Sequence, residues 1–440
     1  MSTLVWFRDD LRVSDHPALS AAVQDGEGVV ALYVLDEESD HCRPLGAAAK
    51  WWLHHSLSAL TGSLERLDIQ LVLRRGPANQ VVSRVAQECA AERVTWNRRY
   101  GANRHHDATL KSSLSAKNIT VNSFPGDLLF EPWNITTKEG SPYRVHSPFW
   151  RACATAPVPA SPLPVPPPVA RGADTLPSDS LTSWNLLPTA PDWSAGLKAR
   201  WTPGEAAAGA ALEEFFHHRL AEYSQRDFPD KEVGSELSPH LRWGEISPRS
   251  VWHHEHSQQG NASLFLSELG WREFAKHTDF HFGPLHTHNL NQRFDTFPWR
   301  SSDGDELQAW QSGTTGFGLV DAGMQELWQT GFMHNRVRMV TASFLTKNLL
   351  LDWRIGEAWF WDTLVDADEA SNPFNWQWVA GCGADAAPYF RIFNPELQQK
   401  KFDPHGRYVT RWAPMSATPQ IVDLPFTRKR ALQAYETLPR

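Results

Sequence analysis

The 440-residue sequence predicts two unlike halves, an α/β N-terminal domain on a doubly wound parallel sheet and a mostly α-helical C-terminal domain. Three observations predict this. Short β-rich runs alternate with helix-like stretches as far as Val121. A tract from Pro157 to Pro168 holds seven prolines in twelve residues. Beyond about residue 200 apolar residues recur at helical spacing with few β-rich runs.

In order, the strands are expected at Thr3–Phe7, Val29–Leu35, Ile69–Leu73, Arg93–Trp96 and Ile119–Val121. The helices between them are expected at Pro17–Val23, Gly46–Leu67, Asn79–Glu92 and His105–Lys117. Strands alternating with helices of this length give a parallel sheet covered on both faces. No GxGxxG follows the first strand, so the dinucleotide fingerprint is absent, though the strand ends still form a crevice for a ligand. Residues 1–130 read as this domain. Residues 131–200 read as an interdomain linker, because the proline tract lacks backbone donors and favours extended chain. Residues 201–415 read as the helical domain, from stretches at Gly204–Tyr223, Leu264–Asp279, Gly318–Gln329, His334–Leu351 and Glu357–Leu364. Residues 416–440 read as a short tail.

Composition narrows the function class. Hydrophobic residues at 41% and charged residues at 21% exclude wholesale disorder. No uncharged apolar run reaches the ~18 residues that span a bilayer, so a cytoplasmic chain with no membrane partner is expected, as a monomer. Cys42, Cys89, Cys153 and Cys382 lie far apart without CxxC, which suits reduced thiols. The net charge of −8 points to no polyanion partner, but residues 401–440 carry 7 basic and 3 acidic side chains, so a phosphate-binding surface is most favourable there. The 21 tryptophans against 7 tyrosines suit either a large aromatic core or a platform for flat rings.

Several segments carry chemistry. Gly234, Ser235 and Ser238 precede Pro239 at a helix start, where backbone N–H groups and small hydroxyls can hold a pyrophosphate; such residues also simply cap helices. SELGWREFAKH (267–277) puts Glu268, Trp271 and Arg272 on one helical face, and FMHNRVRM (332–339) does the same for Asn335, Arg338 and Met339. Residues 366–395 concentrate acid, amide, Trp376, Trp378, glycine and an aromatic-basic run. The paired histidines at 54/55, 105/106, 217/218 and 253/254 diverge on a helix and lack supporting ligands, so no metal site is expected.

Together WFRDDLR, SPHLRWGEIS, ELGWREF, TGFGLVDAGMQELWQTGFMHNRVRM, LLLDWRIGE and NWQWVAGCGADAAPYFRIFNP resemble, in order and along nearly the whole chain, the photolyase/cryptochrome flavoprotein family. The resemblance implies an antenna domain followed by a helical domain that holds reduced, noncovalent FAD. It implies FAD contacts at Tyr223, Ser235, Glu236, Leu237, Ser238, Trp271, Arg272, Asn335, Arg338, Asp366, Asp368 and Asn372, the last beside flavin N5. It implies ultraviolet-damaged DNA as partner, contacted by Glu268, Trp271, Asn335, Arg336, Met339, Trp378 and Gln398, with Lys400 and Lys401 near. Catalysis would fall to Glu268, Asn372 and an electron path through Trp376, Trp353 and Trp299. Asn335 and Met339 resemble enzymes acting on cyclobutane pyrimidine dimers, and Asn372 resembles photolyases where plant-type cryptochromes carry Asp. Blue-light signalling without repair is the alternative.

The chain also departs from the pattern. Gly234 and Glu236 stand where a Thr and a basic residue are common, Pro373 and Phe374 follow Asn372, and Arg104 replaces a Glu of some folate-binding members. KWWLHHSL (50–57) resembles members whose antenna is methenyltetrahydrofolate, which it favours over a deazaflavin as second chromophore.

Overall fold

The computed structural model describes residues 2–439, apart from 27, 41, 170–174, 258–261, 303, 387–389, 414–417 and the side chains of 255–257. Ala387–Tyr389 of the family-like run and the expected boundary at 415/416 therefore lie outside the described residues.

The N-terminal half follows the β/α alternation of the sequence: β1 Ser2–Phe7, α1 Pro17–Gln24, β2 Gly28–Leu35, α2 Ala47–Glu65, β3 Gln70–Arg75, α3 Ala78–Glu88, β4 Ala91–Asn97, α4 Arg104–Ser115 and β5 Thr120–Phe124. The sheet order is β3-β2-β1-β4-β5, with every pair parallel. Alternation along β1 sorts its side chains: Val5 and Phe7 join the core under α1 and α2, and Leu4 and Trp6 the core under α3 and α4. The expected helix over 79–92 stops at Glu88, because Ala90 takes a left-handed φ of 46° and Ala91 to Asn97 pair with β1 and β5.

Residues 131–200 are more than a connector. Helix His146–Thr155 packs Phe149 and Cys153 against Phe274, while Trp184, Leu186 and Leu197 enter the core beneath α2. The proline tract itself has no regular structure and is tied down by Asp15, whose N–H and carboxylate bond Leu163, and by His253 against the Pro159 carbonyl.

The C-terminal half is helical. Its long members are Ser263–Phe282, Gly318–Thr330, Asn335–Ser343 with a π-helical extension to Asn348, Trp353–Thr363 and Ser371–Ala380, arranged around a core containing Trp310, Trp353, Phe360 and Trp376. The expected tail contains a thirteen-residue helix, Leu424–Glu436, which buries Leu424, Ala431 and Ala434 in that core. Its apolar residues recur at helical spacing, so it packs as an amphipathic helix. The halves interlock. Asp15 of the sheet domain pairs with Arg249 at 2.7 Å, and a Cβ on Gly46 would overlap the Trp361 carbonyl. Among the described residues no helix is long and apolar enough to cross a membrane, and no group of three His, Cys, Asp or Glu could hold a metal.

Candidate functional site

The loop before Pro239 faces open space, since a Cβ built on Gly234 would meet nothing within 4 Å. Ser238 donates from its hydroxyl to Asp366 at 2.7 Å, and Arg338 donates to both oxygens of the same carboxylate at 3.1 and 2.9 Å. The fork-on-carboxylate geometry fixes both groups, and Arg338 Nε on the Met333 carbonyl at 2.7 Å anchors the pair to its own helix start. Asp368 fixes the turn that leads into helix Ser371–Ala380, accepting N–H from Ala370 and Ser371 at 2.8 and 2.7 Å. Burial would raise its carboxyl, but Lys276, the Ser371 N–H, Arg242 and Arg272 prevail and hold it below the ordinary value.

The other expected cofactor contacts divide. Leu237 is buried in a cluster with Tyr223 and Phe265, so its backbone is what can meet a ligand. Glu236 sits at φ 57° and turns its carboxylate to Arg200 and Arg219, both at 3.2 Å. Tyr223 is buried against Phe215 and Phe265 with Arg226 over its ring. Arg272, another expected cofactor contact, bonds the Asp127 carbonyl and carboxylate and Glu273 at the cleft between the halves. The reason is electrostatic, because Asp127 offers both a carboxylate and a carbonyl at that position.

Asn372 is buried and donates from its amide to Glu357, at 2.7 Å to Oε1 and 3.1 Å to the carbonyl. Both partners are acceptors, so the NH2 must face them and Oδ1 must face away. Glu357, which motif reading passed over, is itself gripped by Arg43 at 2.7 and 2.8 Å.

At the expected substrate wall, Trp271 lies flat on His146, with centroids 3.7 Å apart and planes at 6°. One indole face is thus covered. Burial lowers His146 to about 4, leaving a neutral ring as the support. Phe374 meets Trp271 at 6.3 Å, and Trp378 follows one turn later on the same helix, half-buried beside Phe393 and Arg391. Glu268 precedes Trp271 by one turn, and Arg226 donates twice to its Oε1, at 3.2 and 3.1 Å. Arg226 and His146 are further residues that the sequence did not reveal, since each is distant in the chain from the side chain it supports.

Asn335 is exposed at the start of its helix, which His334 caps by accepting the Arg336 N–H at 3.2 Å. Met339 is partly buried, within reach of Arg336 Nη1. Arg336 pairs with Asp227 at 2.8 Å and lies over Phe402, so a phosphate there would compete with that carboxylate. Gln398 Oε1 is buried without a protein partner, beside exposed Lys400 and Lys401 on helix Pro395–Phe402.

Of the expected electron path, Trp353 is fully buried with Nε1 on Asn289 at 2.9 Å, and Trp299 is half-buried beside Phe297 at 4.3 Å. Trp376 presses on the helix that Trp353 begins, because a Cβ at Gly356 would overlap its ring.

A second recess lies where strand order reverses, between the ends of β1 and β4. This open cleft, with a cavity volume of about 40 Å³, is lined by Arg8, Asp9, Arg98, Arg99, Lys276 and Glu369 among others. The Trp pair of the 50–57 segment does not line it: Trp51 and Trp52 are core residues, with Trp52 bonded to Glu245 at 3.0 Å.

A hydroxyl and open loop for phosphates, a fixed acid–arginine pair and an oriented amide fit FAD as the group held here. Known proteins agree. Residues 3–168 match the family described as DNA photolyase, and residues 265–434 that described as the FAD binding domain of DNA photolyase. A deoxyribodipyrimidine photo-lyase of Agrobacterium fabrum is 50% identical over 418 residues, covering 93% of this chain and 86% of that protein. Cryptochrome-1 of Arabidopsis thaliana is 39% identical over 438 residues, and the chain spans only 62% of its length. A crystal structure of a bacterial class III photolyase from Agrobacterium tumefaciens superposes with TM-score 0.94 at 46% identity, covering 99% of this chain and 97% of that one.

Proposed function

The chain belongs to the photolyase/cryptochrome family and is a DNA photolyase, and we propose that it splits cyclobutane pyrimidine dimers by light-driven electron transfer. Signalling without repair is not favoured, since the photo-lyase relative stands at 50% identity and the cryptochrome at 39%.

The observation that supports the reading is that Glu268, held by Arg226, and Trp271, stacked on His146, stand one turn apart on one helix, with the amide Asn372 as the residue we assign beside the flavin. A dimer inside duplex DNA has to leave the stack to be reached, and a damaged pair leaves most readily. Trp271, backed by His146, offers one free aromatic face to the extruded bases, and Trp378 a second wall. Glu268 keeps one oxygen on Arg226 and presents the other to the pyrimidine edge. Reduced FAD, when bound and excited, supplies one electron to the lesion and recovers it after the ring opens. Ser235, Ser238 and the loop backbone would hold its pyrophosphate, the fixed Asp366–Arg338 pair and Asp368 its polar edges, and Asn372 its N5 side. Arg336, Gln398, Lys400 and Lys401 would meet the DNA backbone, while Asn335 and Met339 would favour the cyclobutane lesion over the (6-4) photoproduct. Trp376, Trp353 and Trp299 would conduct electrons inward when the flavin is oxidised. For the second chromophore we favour methenyltetrahydrofolate; the interdomain cleft offers cations and acids that suit its carboxylates and pterin edge.

Incubating the purified protein with oligonucleotides bearing either lesion, in blue light and in darkness, tests this reading. Light-dependent loss of cyclobutane dimers alone is expected. Dimers that persist in the light with FAD-loaded protein overturn it.

A further inference from the structure

The fork of Arg43 on Glu357 joins two segments 314 positions apart in sequence. Arg43 stands in the loop after β2 of the N-terminal domain. Its guanidinium lies over the Trp361 ring at 4.2 Å and donates to both Glu357 oxygens, at 2.7 and 2.8 Å. The chain just after it is keyed in place: Trp361 Nε1 donates to the Pro44 carbonyl at 2.9 Å, and Asp362 accepts the Ala47 N–H at 2.9 Å. Glu357 is 2% exposed, and its remaining interaction is with Asn372. The result is a relay across the domain boundary from a cation, through a buried carboxylate, to an amide.

We propose that Arg43 is a positioning residue for flavin redox chemistry: by holding Glu357 as a pure acceptor, it locks the Asn372 amide with its carbonyl oxygen toward the flavin N5 position. The proposal rests on the FAD reading above and adds a direction to it. An amide can offer N–H or C=O to a neighbour, and the two choices favour opposite states. Oxidised flavin has an acceptor at N5 and is favoured by N–H. Reduced flavin carries a proton at N5 and is favoured by C=O. With Oε1 and the backbone carbonyl of Glu357 both accepting, the NH2 end is committed and C=O faces N5. Without the guanidinium, a buried carboxylate is costly. The neutral acid that replaces it can donate a proton in a hydrogen bond, and the amide is then free to turn round. Arg43 therefore biases the flavin toward the reduced forms that repair requires, although it is a residue of the other domain.

The test is spectroelectrochemical titration of FAD-loaded protein, with FAD affinity measured alongside. Arg43→Met should shift the reduction equilibrium about tenfold toward oxidised flavin, a fall of ~30 mV for a two-electron couple. Arg43→Lys, which keeps a charge but not the fork, should lie between and guards against misfolding of the first variant. The deciding arm is Arg43→Met placed in an Asn372→Ala background, where its effect should vanish. A shift of equal size in that background would show that Arg43 acts as a distant charge, and a wild-type potential in Arg43→Met would remove its role altogether; either result overturns the proposal. Wild-type protein that takes up no FAD would instead overturn the flavoprotein reading.

Discussion

Replacing Trp353 by Phe separates reactivation from repair. Trp353 is fully buried at the start of its helix, its indole N–H donates to Asn289 Oδ1 at 2.9 Å, and Arg354 lies over its ring at 4.6 Å. Phenylalanine keeps an aromatic ring there but loses the donor and part of the volume. Asn289 still donates to Asp295 at 2.7 Å, so the damage is one unpaired buried acceptor and a partial cavity. That amounts to about 2–4 kcal/mol, within the ~5–15 kcal/mol a folded domain typically has, so the variant should fold and load FAD. What it cannot do is pass an electron, since a phenyl ring is far harder to oxidise than an indole. Bleaching of oxidised flavin under blue light with an external donor should slow by at least an order of magnitude. Repair by dithionite-reduced protein should persist. Unchanged bleaching would refute the assigned path. Trp310, in edge contact with Trp376 at 6.2 Å, would then be the neighbour to replace next.

Glu268→Ala should weaken dimer binding by ~1–3 kcal/mol, since a pyrimidine edge is left unpaired, and should also lower repair per photon absorbed; equal affinity for damaged DNA would remove Glu268 from the substrate site. Arg336→Ala should weaken binding across sequences and reduce the salt slope by ~1; an unaltered slope would mean that the Asp227 pair at 2.8 Å, and not a phosphate, is its whole role. Asp279 is raised from the ordinary aspartate range to about 7, chiefly by burial and then by Glu369. A raised acid binds its proton more tightly when folded, so its stabilising contribution is full below pH ~4 and is lost as pH rises through ~7. Asp279→Asn should reduce the fall of the melting temperature between pH ~5 and ~8, leaving the part due to Glu273, which is also raised to about 7, and a slope matching wild type would assign the titration elsewhere.

Much of this was legible because it is local. Strand alternation in Leu4 to Phe7 and the two faces it serves follow from a period of two, and helical spacing placed Glu268 with Trp271 and Arg338 with its helix start. Asp366 and Asn372 stand in the acid- and amide-rich stretch just before the family-like run that begins at Asn375. What escaped was partnership over distance. Spacing put Arg272 on the same helix face as Glu268, but only the fold brings Asp127 to it. Nothing near Trp271 announces His146, 125 positions earlier. Lys50–Leu57 carries the resemblance to folate-binding members, and in the fold its Trp51 and Trp52 point into the core, because an indole on a helix that covers a sheet contributes most by filling it. The C-terminal segment follows the last of the family-like runs and so reads as a tail in sequence, although the family match extends to residue 434 and Leu424, Ala431 and Ala434 carry a packing stripe of their own.

The helix Ser263–Phe282 explains why the two halves depend on each other. Glu268 and Trp271 stand near its beginning, while Arg272, Lys276 and Asp279 follow further along its length, at ~1.5 Å per residue, toward the interdomain cleft. There Arg272 and Lys276 meet Asp127, and Asp279 lies beside Glu369 and Gly101. The backbone N–H groups of Leu129 and Phe130, where the sheet domain ends, are accepted by Glu273 on the same helix. Burial pushes Glu273 up to about 7, against Arg272 and those two donors. A rod held by the sheet domain along its later turns and presenting the proposed substrate wall near its beginning cannot shift at one end without shifting at the other. Contacts from the sheet domain would therefore set that wall through this helix, as Arg43 is proposed to set the amide at 372.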